Sequence, residues 1–445
     1  MSRARVLLRA ALVVLLAASA ARLAALALRF GRESVQADFS AFYTAGRAAR
    51  AGLSPYWNAP EREPPLWDGV SEFQTSRFLY PPLAASAFAP LTWMSYAVAK
   101  HAWMALSLAA VGAAMVVLAR ALGGSLSVEA RLAVAAFTCA FQPLVLHLER
   151  GQVDAFTLLL AALALAPVIA GGRDRLATGV LIAAAAVLKP IAAGLVPFLL
   201  LRRRFRAAGG FGLGAVLALG ATVALHGTSG LAAYLTRELP RISVEGEAHG
   251  ETMRLDPDVR ARLRGRAAPG TVLRDGRAYR IESFRFVTNA SLVRPLKRRL
   301  GLRLAPTRLA LLLLGALLLA FAAWSFRAPG PPPPAAELAY WQAALAALLL
   351  AWPVTWAMNA VWLLPAALLA ASAWPEARGA ARAGLAVAAL GLLLAGVPDP
   401  AARAVLGGAA NLRYVAAEAL VLASLLAASR ALARAPTAPA SRAPS

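Results

Sequence analysis

VLLRAALVVLLAASAARLAALAL at residues 6–28, followed at 36–43 by Gln-Ala-Asp-Phe-Ser-Ala-Phe-Tyr, decides how this chain is built. A helix that crosses a bilayer needs about 20 predominantly apolar residues, and the first stretch supplies them. Arg3 and Arg5 stand before it, and basic residues hold a helix end on the cytoplasmic side. Asp38 is therefore expected on the far face, at the membrane surface, beside Phe39, Phe42 and Tyr43. The Arg-rich start with Ala-Ala-Ser-Ala at 17–20 imitates a cleavable signal. The apolar run continues past that point to Leu28, which predicts a retained helix.

Further spans of bilayer length can be drawn at 96–119, 131–148, 152–171, 207–226, 306–326, 336–352, 356–374, 379–397 and 411–429. Residues 174–202 are apolar for too long to be one span and carry Lys189-Pro190 in the middle. Proline disrupts a helix interior, so this stretch predicts two short helices meeting at the Lys-Pro. Irregular backbone at membrane depth survives only where it lines a cavity or is buried in protein. The expected fold is an all-α polytopic membrane protein of about twelve transmembrane helices.

Arginine placement agrees with that count. With the N-terminus inside, the predicted cytoplasmic segments hold Arg120, Arg131, Arg173, Arg175, the Arg202–Arg206 cluster, Arg327, Arg378 and Arg382. Two long loops, 30–95 and 227–305, fall outside. The membrane domain spans 1–434, residues 328–335 form a stiff Pro-rich connector, and 435–445 read as a disordered cytoplasmic tail.

Composition excludes other classes. The chain is 445 residues long and 60% apolar, which is not the balance of a soluble core. The net charge of +24 suggests nucleic acid, yet the basic residues sit between apolar spans, and no nucleic-acid partner is expected. Only Lys100, Lys189 and Lys297 are lysines among 46 basic residues, a skew associated with GC-rich bacterial coding. Cys139 is alone and the four histidines have no ligand spacing. Neither a metal site nor a cofactor is predicted.

The outer loops are not formless. Phe78-Leu79-Tyr80-Pro81-Pro82-Leu83 leads into an apolar stretch ending near Met94, too short to span and expected to lie in the interface, with Trp93 and Tyr96 at headgroup level. Residues 272–279 resemble a small hairpin around Asp275-Gly276.

Five places could carry chemistry. Asp38 could act as a general base on a hydroxyl, or be a solvated interfacial carboxylate or helix cap. Lys189 is an intramembrane lysine, a functional-site hypothesis by default, suited as a point charge to a phosphate. Its plainer reading is a snorkelling side chain. Gln152 and Asp154, in the turn Glu149–Asp154, could hydrogen-bond a sugar or simply connect two spans. Asn289-Ala290-Ser291-Leu292 with Arg294 precedes a helix and matches an N-glycosylation sequon. Trp352–Asn359, with Trp356 and Asn359, is a ligand wall or an aromatic interface belt.

Asp38-Phe39 with Tyr43, then Tyr56, Phe78 through Leu83, Gly151-Gln152-Val153, Leu188-Lys189-Pro190 with the arginine cluster after it, and Asn289–Leu292 follow one another in a particular order. In that order the chain, from about 36 to 375, resembles glycosyltransferase family 87 of the GT-C superfamily, whose members include polyprenyl-phosphate-mannose-dependent alpha-mannosyltransferases. The resemblance implies a GT-C-like bundle in the bacterial cytoplasmic membrane with an extracytoplasmic active site. It implies a polyprenyl-phosphate-linked hexose donor, with mannose the first expectation, and a glycan or glycolipid acceptor. Asp38 would be the base. Lys189 and Arg294 would hold the donor phosphate, and Tyr43, Tyr80, Gln152, Asp154, Asn289, Trp356 and Asn359 would face sugar or acceptor. This chain has Asp154 where relatives usually carry Asn, and no histidine in 352–359. The competing readings are a lipid-linked-sugar flippase, favoured by the broken helix, and a non-catalytic scaffold, favoured by the missing histidines.

Overall fold

The computed structural model describes residues 2–33, 36–57, 64–70, 72, 74–123, 126–240, 253–255, 271–274, 277–280, 290–302, 304–325, 332–406, 410 and 412–434. The predicted tail at 435–445, half of the 328–335 connector and about half of the second outer loop, Asn289 included, lie outside the described residues.

Among the described residues, seven helices are long and apolar enough to cross a membrane, one further span is a bent pair, and four shorter apolar helices complete the bundle. The chain is an all-α polytopic membrane protein. α1 (Arg3–Arg32) opens with Ser2, whose side chain accepts from the Arg5 amide. Only 11% of its apolar window is buried, so most of its surface is left for lipid. The helix Pro334–Ala351 is the opposite case, with 89% of its window buried. Apart from Glu337, which pairs with Arg202, and Gln342, it is apolar on every side, and a helix of that kind belongs in the centre.

Two proline-marked breaks shape the middle of the bundle. The sequence predicts one span at 131–148, but the structure divides it into α5 (Val128–Ala140) and α6 (Gln142–Arg150), bent by 46°. Phe141 is extended and Pro143 occupies the first turn of α6. Its ring cannot accommodate the carbonyl of the preceding helical turn, so the single span is corrected to a kinked one. After α7 (Asp154–Ile169), α8 (Leu176–Leu188) stops at Lys189, which is extended at φ −150° and ψ 105° as a residue before proline prefers. A 3₁₀ turn, Pro190–Gly194, then leads into α9 (Leu195–Leu201).

α10 (Phe205–Ala233) packs back on α8. Gly179 lies directly against the Ala207 carbonyl and Gly210 against that of Leu176, leaving no room for a Cβ at either. Small residues let backbones approach where lipid offers no hydrophobic driving force between helices. Gly384 plays the same part between Gly379–Gly396 and Leu412–Arg434, where a Cβ would stand 2.7 Å from the Ser424 carbonyl oxygen.

The segment between α1 and α4 (Tyr96–Ala121) carries α2 (Ala37–Arg50), a short strand β1 (Gln74–Ser76) and α3 (Pro82–Phe88). β1 pairs antiparallel with β2 (Met253–Leu255), so the two long loops meet backbone to backbone. β3 (Thr271–Arg274) and β4 (Arg277–Arg280) form the antiparallel pair expected around Asp275-Gly276, a turn that itself lies outside the described residues.

Candidate active site

The first turn of α2 is anchored before it presents anything. The Gln36 amide donates to Glu72 Oε2 at 3.0 Å, and the Gln36 side chain donates to the Leu148 carbonyl at 3.0 Å. Glu72 Oε1 in turn accepts from Lys100 Nζ at 2.7 Å and from the Tyr96 hydroxyl at 2.9 Å. Lys100 also donates to the Glu33 carbonyl at 2.8 Å, so a buried ion pair clamps the end of α1 to the start of α2. Removing one partner would leave an uncompensated buried charge.

The α6–α7 turn then closes on α2. Gly151 adopts φ +70°, open to glycine without the penalty other residues meet. A Cβ there would lie 2.5 Å from Phe39 Cβ. Trp103 Nε1 donates to the Gly151 carbonyl at 3.0 Å and holds the turn in place. The next residue, Gln152, donates from Nε2 to Asp38 Oδ2 at 2.7 Å, and Tyr80 donates its hydroxyl to Gln152 Oε1 at 3.2 Å. Tyr80, Gln152 and Asp38 thus form one relay. Among the described residues Gln152 is the hydrogen-bond partner of the Asp38 carboxylate. Asp38 sits in the first turn of α2, where the helix dipole favours an anion.

This relay borders a cleft with about 530 Å³ of empty space, part of it open to solvent. Its polar lining includes Asp38, Tyr80, Gln152, Arg77 and Arg150, and its apolar lining includes Phe42, Leu79, Trp356 and Met358. Asp38 is 9% exposed, enough for contact with the cleft but not for free solvation. Burial, and then the charges of Asp38 and Asp154, push the Tyr80 phenol well above the ordinary tyrosine range. It stays protonated and acts as a donor.

Asp154 belongs to a second cluster beside the first. It is fully buried and accepts from Lys189 Nζ at 2.7 Å (Oδ1) and 2.6 Å (Oδ2). Asn359 Nδ2 adds a third bond to Oδ1 at 2.9 Å, while Asn359 Oδ1 accepts from the Trp356 amide at 2.7 Å. The cluster joins the start of α7, the break after α8 and the turn at 352–359.

Lys189, expected against a donor phosphate, is paired with Asp154 in this structure and is not among the residues lining the cleft. Asp154 and Asn359 are likewise inside this cluster and not on the cleft wall. Tyr43 is fully buried, donates its hydroxyl to the Met94 carbonyl at 2.7 Å and packs edge-on against Tyr96. It is not among the residues lining the cleft. Tyr80, Gln152 and Trp356 do line the cleft with Asp38. Arg294 lies on the helix Val293–Arg299, its side chain outside the described residues. The segment after Asn289 docks on the Trp352–Asn359 turn, with the Ala290 amide 2.5 Å from the Thr355 carbonyl and the Leu292 amide 3.0 Å from that of Leu350.

Sequence reasoning passed over Arg77, Glu72 and Lys100. Lys100 carried a usable signal, because the rule that flagged Lys189, a lysine within an apolar span, applies to it equally. Glu72 and Arg77 stand in a loop without periodicity, and only adjacency to the Phe78–Leu83 motif marked Arg77.

With this geometry in place, the comparison with protein families is direct. Residues 78–256 match the model of glycosyltransferase family 87. The match covers the Tyr80 motif, the Gly151-Gln152 turn, Lys189-Pro190 and the whole of α10, and it agrees with the resemblance read from the ordered motifs. Asp38 lies upstream of the matched residues. No curated protein matches the chain. The match to glycosyltransferase family 87 and the polytopic bundle together support a membrane glycosyltransferase.

Proposed function

We propose that this chain transfers a hexose, mannose being the first candidate, from a polyprenyl-phosphate donor to a glycan or glycolipid acceptor on the extracytoplasmic face of a bacterial cytoplasmic membrane, with Asp38 as general base. The observation that carries the proposal is the Asp38 carboxylate on the wall of an open cleft, oriented by the neutral Gln152 and without an ion-pair partner among the described residues. In the reaction an acceptor hydroxyl gives its proton to Asp38, and its oxygen bonds to the anomeric carbon. The bond from that carbon to the phosphate oxygen breaks, and its electron pair leaves with the polyprenyl phosphate. Attack opposite the leaving group inverts a beta-linked donor into an alpha product. Gln152 fixes the carboxylate, and Tyr80 fixes Gln152.

Oriented acid–base groups of this kind contribute roughly 10²–10⁴-fold to rate. The test is transfer by the reconstituted protein from radiolabelled polyprenyl-phosphate hexoses to acceptors in a bacterial membrane extract. Asp38→Asn is expected to lower it by about that factor. Transfer by Asp38→Asn at the wild-type rate would overturn the assignment of the base.

A further inference from the structure

The cleft needs a cation for an anionic leaving group, and Lys189 is taken. We propose that Arg77 is the residue that grips the phosphate of the lipid-linked donor, with Glu238 as the anion that aims it. This inference rests on the glycosyl-transfer reading above, and it assigns a residue that neither the motifs nor the family match includes.

Three observations point to Arg77. First, it lines the same cleft as Asp38. The residue before it is tied to the base's own helical turn, because Ser76 Oγ donates to the Ala37 carbonyl at 3.1 Å. The backbone of that segment is further fixed by pairing between β1 and β2. Arg77 therefore cannot drift independently of Asp38.

Second, among the described residues its guanidinium is held from one side only. Arg77 Nη2 donates to Glu238 Oε1, and Glu238 is almost fully buried where the end of α10 widens into a π-turn, Tyr234–Glu238. Arg77 Nε is buried and has no partner among the described residues. A guanidinium carries five N–H donors in a planar fork. One bonded to Glu238 through Nη2 still has donors to offer a phosphate, and a buried N–H with no partner gains most from an anion that reaches it.

Third, the side chain is partly open, at 27% exposure against 2% for Glu238. The anion is the buried support and the arginine is the part that a ligand meets. Phe42 and Leu79 on the same wall offer apolar surface to the rest of a lipid phosphate. Charge-assisted bonds from arginine to phosphate are shorter and about twice as strong as neutral ones.

Direct binding of farnesyl phosphate and of farnesol to the full-length chain in detergent tests this, read by tryptophan fluorescence. Arg77→Gln should weaken farnesyl phosphate by about tenfold or more, since a bond to a charged group is worth that much, and leave farnesol unchanged. Arg77→Lys should fall between, keeping the charge but not the fork. Because Arg77→Gln leaves Glu238 buried without a counterion and can fail to fold, the double variant Arg77→Gln/Glu238→Gln removes both charges. It should fold and bind farnesyl phosphate as weakly. Wild-type affinity in the folded double variant would overturn the proposal. So would inorganic phosphate binding as tightly as farnesyl phosphate, since the site would then read a free anion and not a lipid one. Asp38→Asn separates the two readings. Loss of transfer in that variant together with wild-type farnesyl phosphate binding in the double variant would sink Arg77 alone, whereas unimpaired transfer by Asp38→Asn would sink the assigned chemistry.

Discussion

Replacing Gly151 by alanine tests whether the α6–α7 turn holds Asp38, the proposed base, in place. The cost has two parts. At φ +70° and ψ 42° the residue is left-handed, which costs an L-residue about 1–2 kcal/mol. The new methyl would also stand 2.5 Å from Phe39 Cβ, where carbon atoms prefer about 3.5–4.0 Å. Phe39 Cβ is fixed to the backbone of α2, so relief requires α2 or the turn to move by about 1 Å, and overpacking of that kind costs about 1–3 kcal/mol. The total is about 2–5 kcal/mol.

Gly52 provides the control. It has nearly the same backbone, φ +68°, but nothing lies within 4 Å of its would-be Cβ. Gly52→Ala should therefore cost only the left-handed share, about 1–2 kcal/mol. Urea unfolding of both variants in the same detergent, followed by circular dichroism, reads the difference. Transfer should separate them more sharply, because a misplacement of about 1 Å can cost about 10²-fold. Gly151→Ala should lose that much by separating Gln152 from Asp38, and Gly52→Ala should stay near the wild-type rate. Equal unfolding midpoints for the two would refute the close approach of the turn to α2 as the device that positions the base.

Asp154→Asn alone should be destabilised by about 3–5 kcal/mol, because it strands the Lys189 charge, and Asp154→Asn/Lys189→Met should recover most of that loss in the same urea assay. If the single variant is as stable as wild type, the buried pair is not an energetic unit. The Tyr80 phenol is raised, so its neutral form persists above pH 10, where an ordinary tyrosine half-ionises. The pH–rate profile should carry no Tyr80-linked limb below that pH. Tyr80→Phe, losing one hydrogen bond worth about 0.5–1.5 kcal/mol, should slow transfer severalfold without changing the shape of the profile.

How far the sequence could be read depended on what each residue's signal was made of. Apolar length announced the bundle, and proline announced the break after Lys189, because both are local properties. The break at Phe141 was equally local, since Pro143 marked it, but the surrounding apolar run hid it. Asp38 stood out by its position just beyond a span. The partners of the charges were not legible. Nothing in the spacing of Asp154, Lys189 and Asn359 says that they meet, since their contact depends on how α7, the α8 break and the 352–359 turn pack. The partner of Tyr43 was hidden for the same reason. Its hydroxyl is used by the Met94 carbonyl, an acceptor contributed by the far end of the same outer loop.

The two acidic side chains near the cleft show why partners, more than residue type, divide the labour. Asp154 has an ammonium within 2.7 Å of one oxygen and 2.6 Å of the other, with an amide donor added. A carboxylate so occupied has both oxygens engaged by other donors, and taking a proton would strand the lysine charge in a largely buried site. Asp38 meets a neutral amide on one oxygen and an open cleft beyond it. Protonation there breaks no ion pair among the described residues. Lys189, paired with Asp154, ties α7 to the helix break. In the reading proposed above, the cation left on the cleft wall for a donor phosphate is Arg77, paired with the buried Glu238.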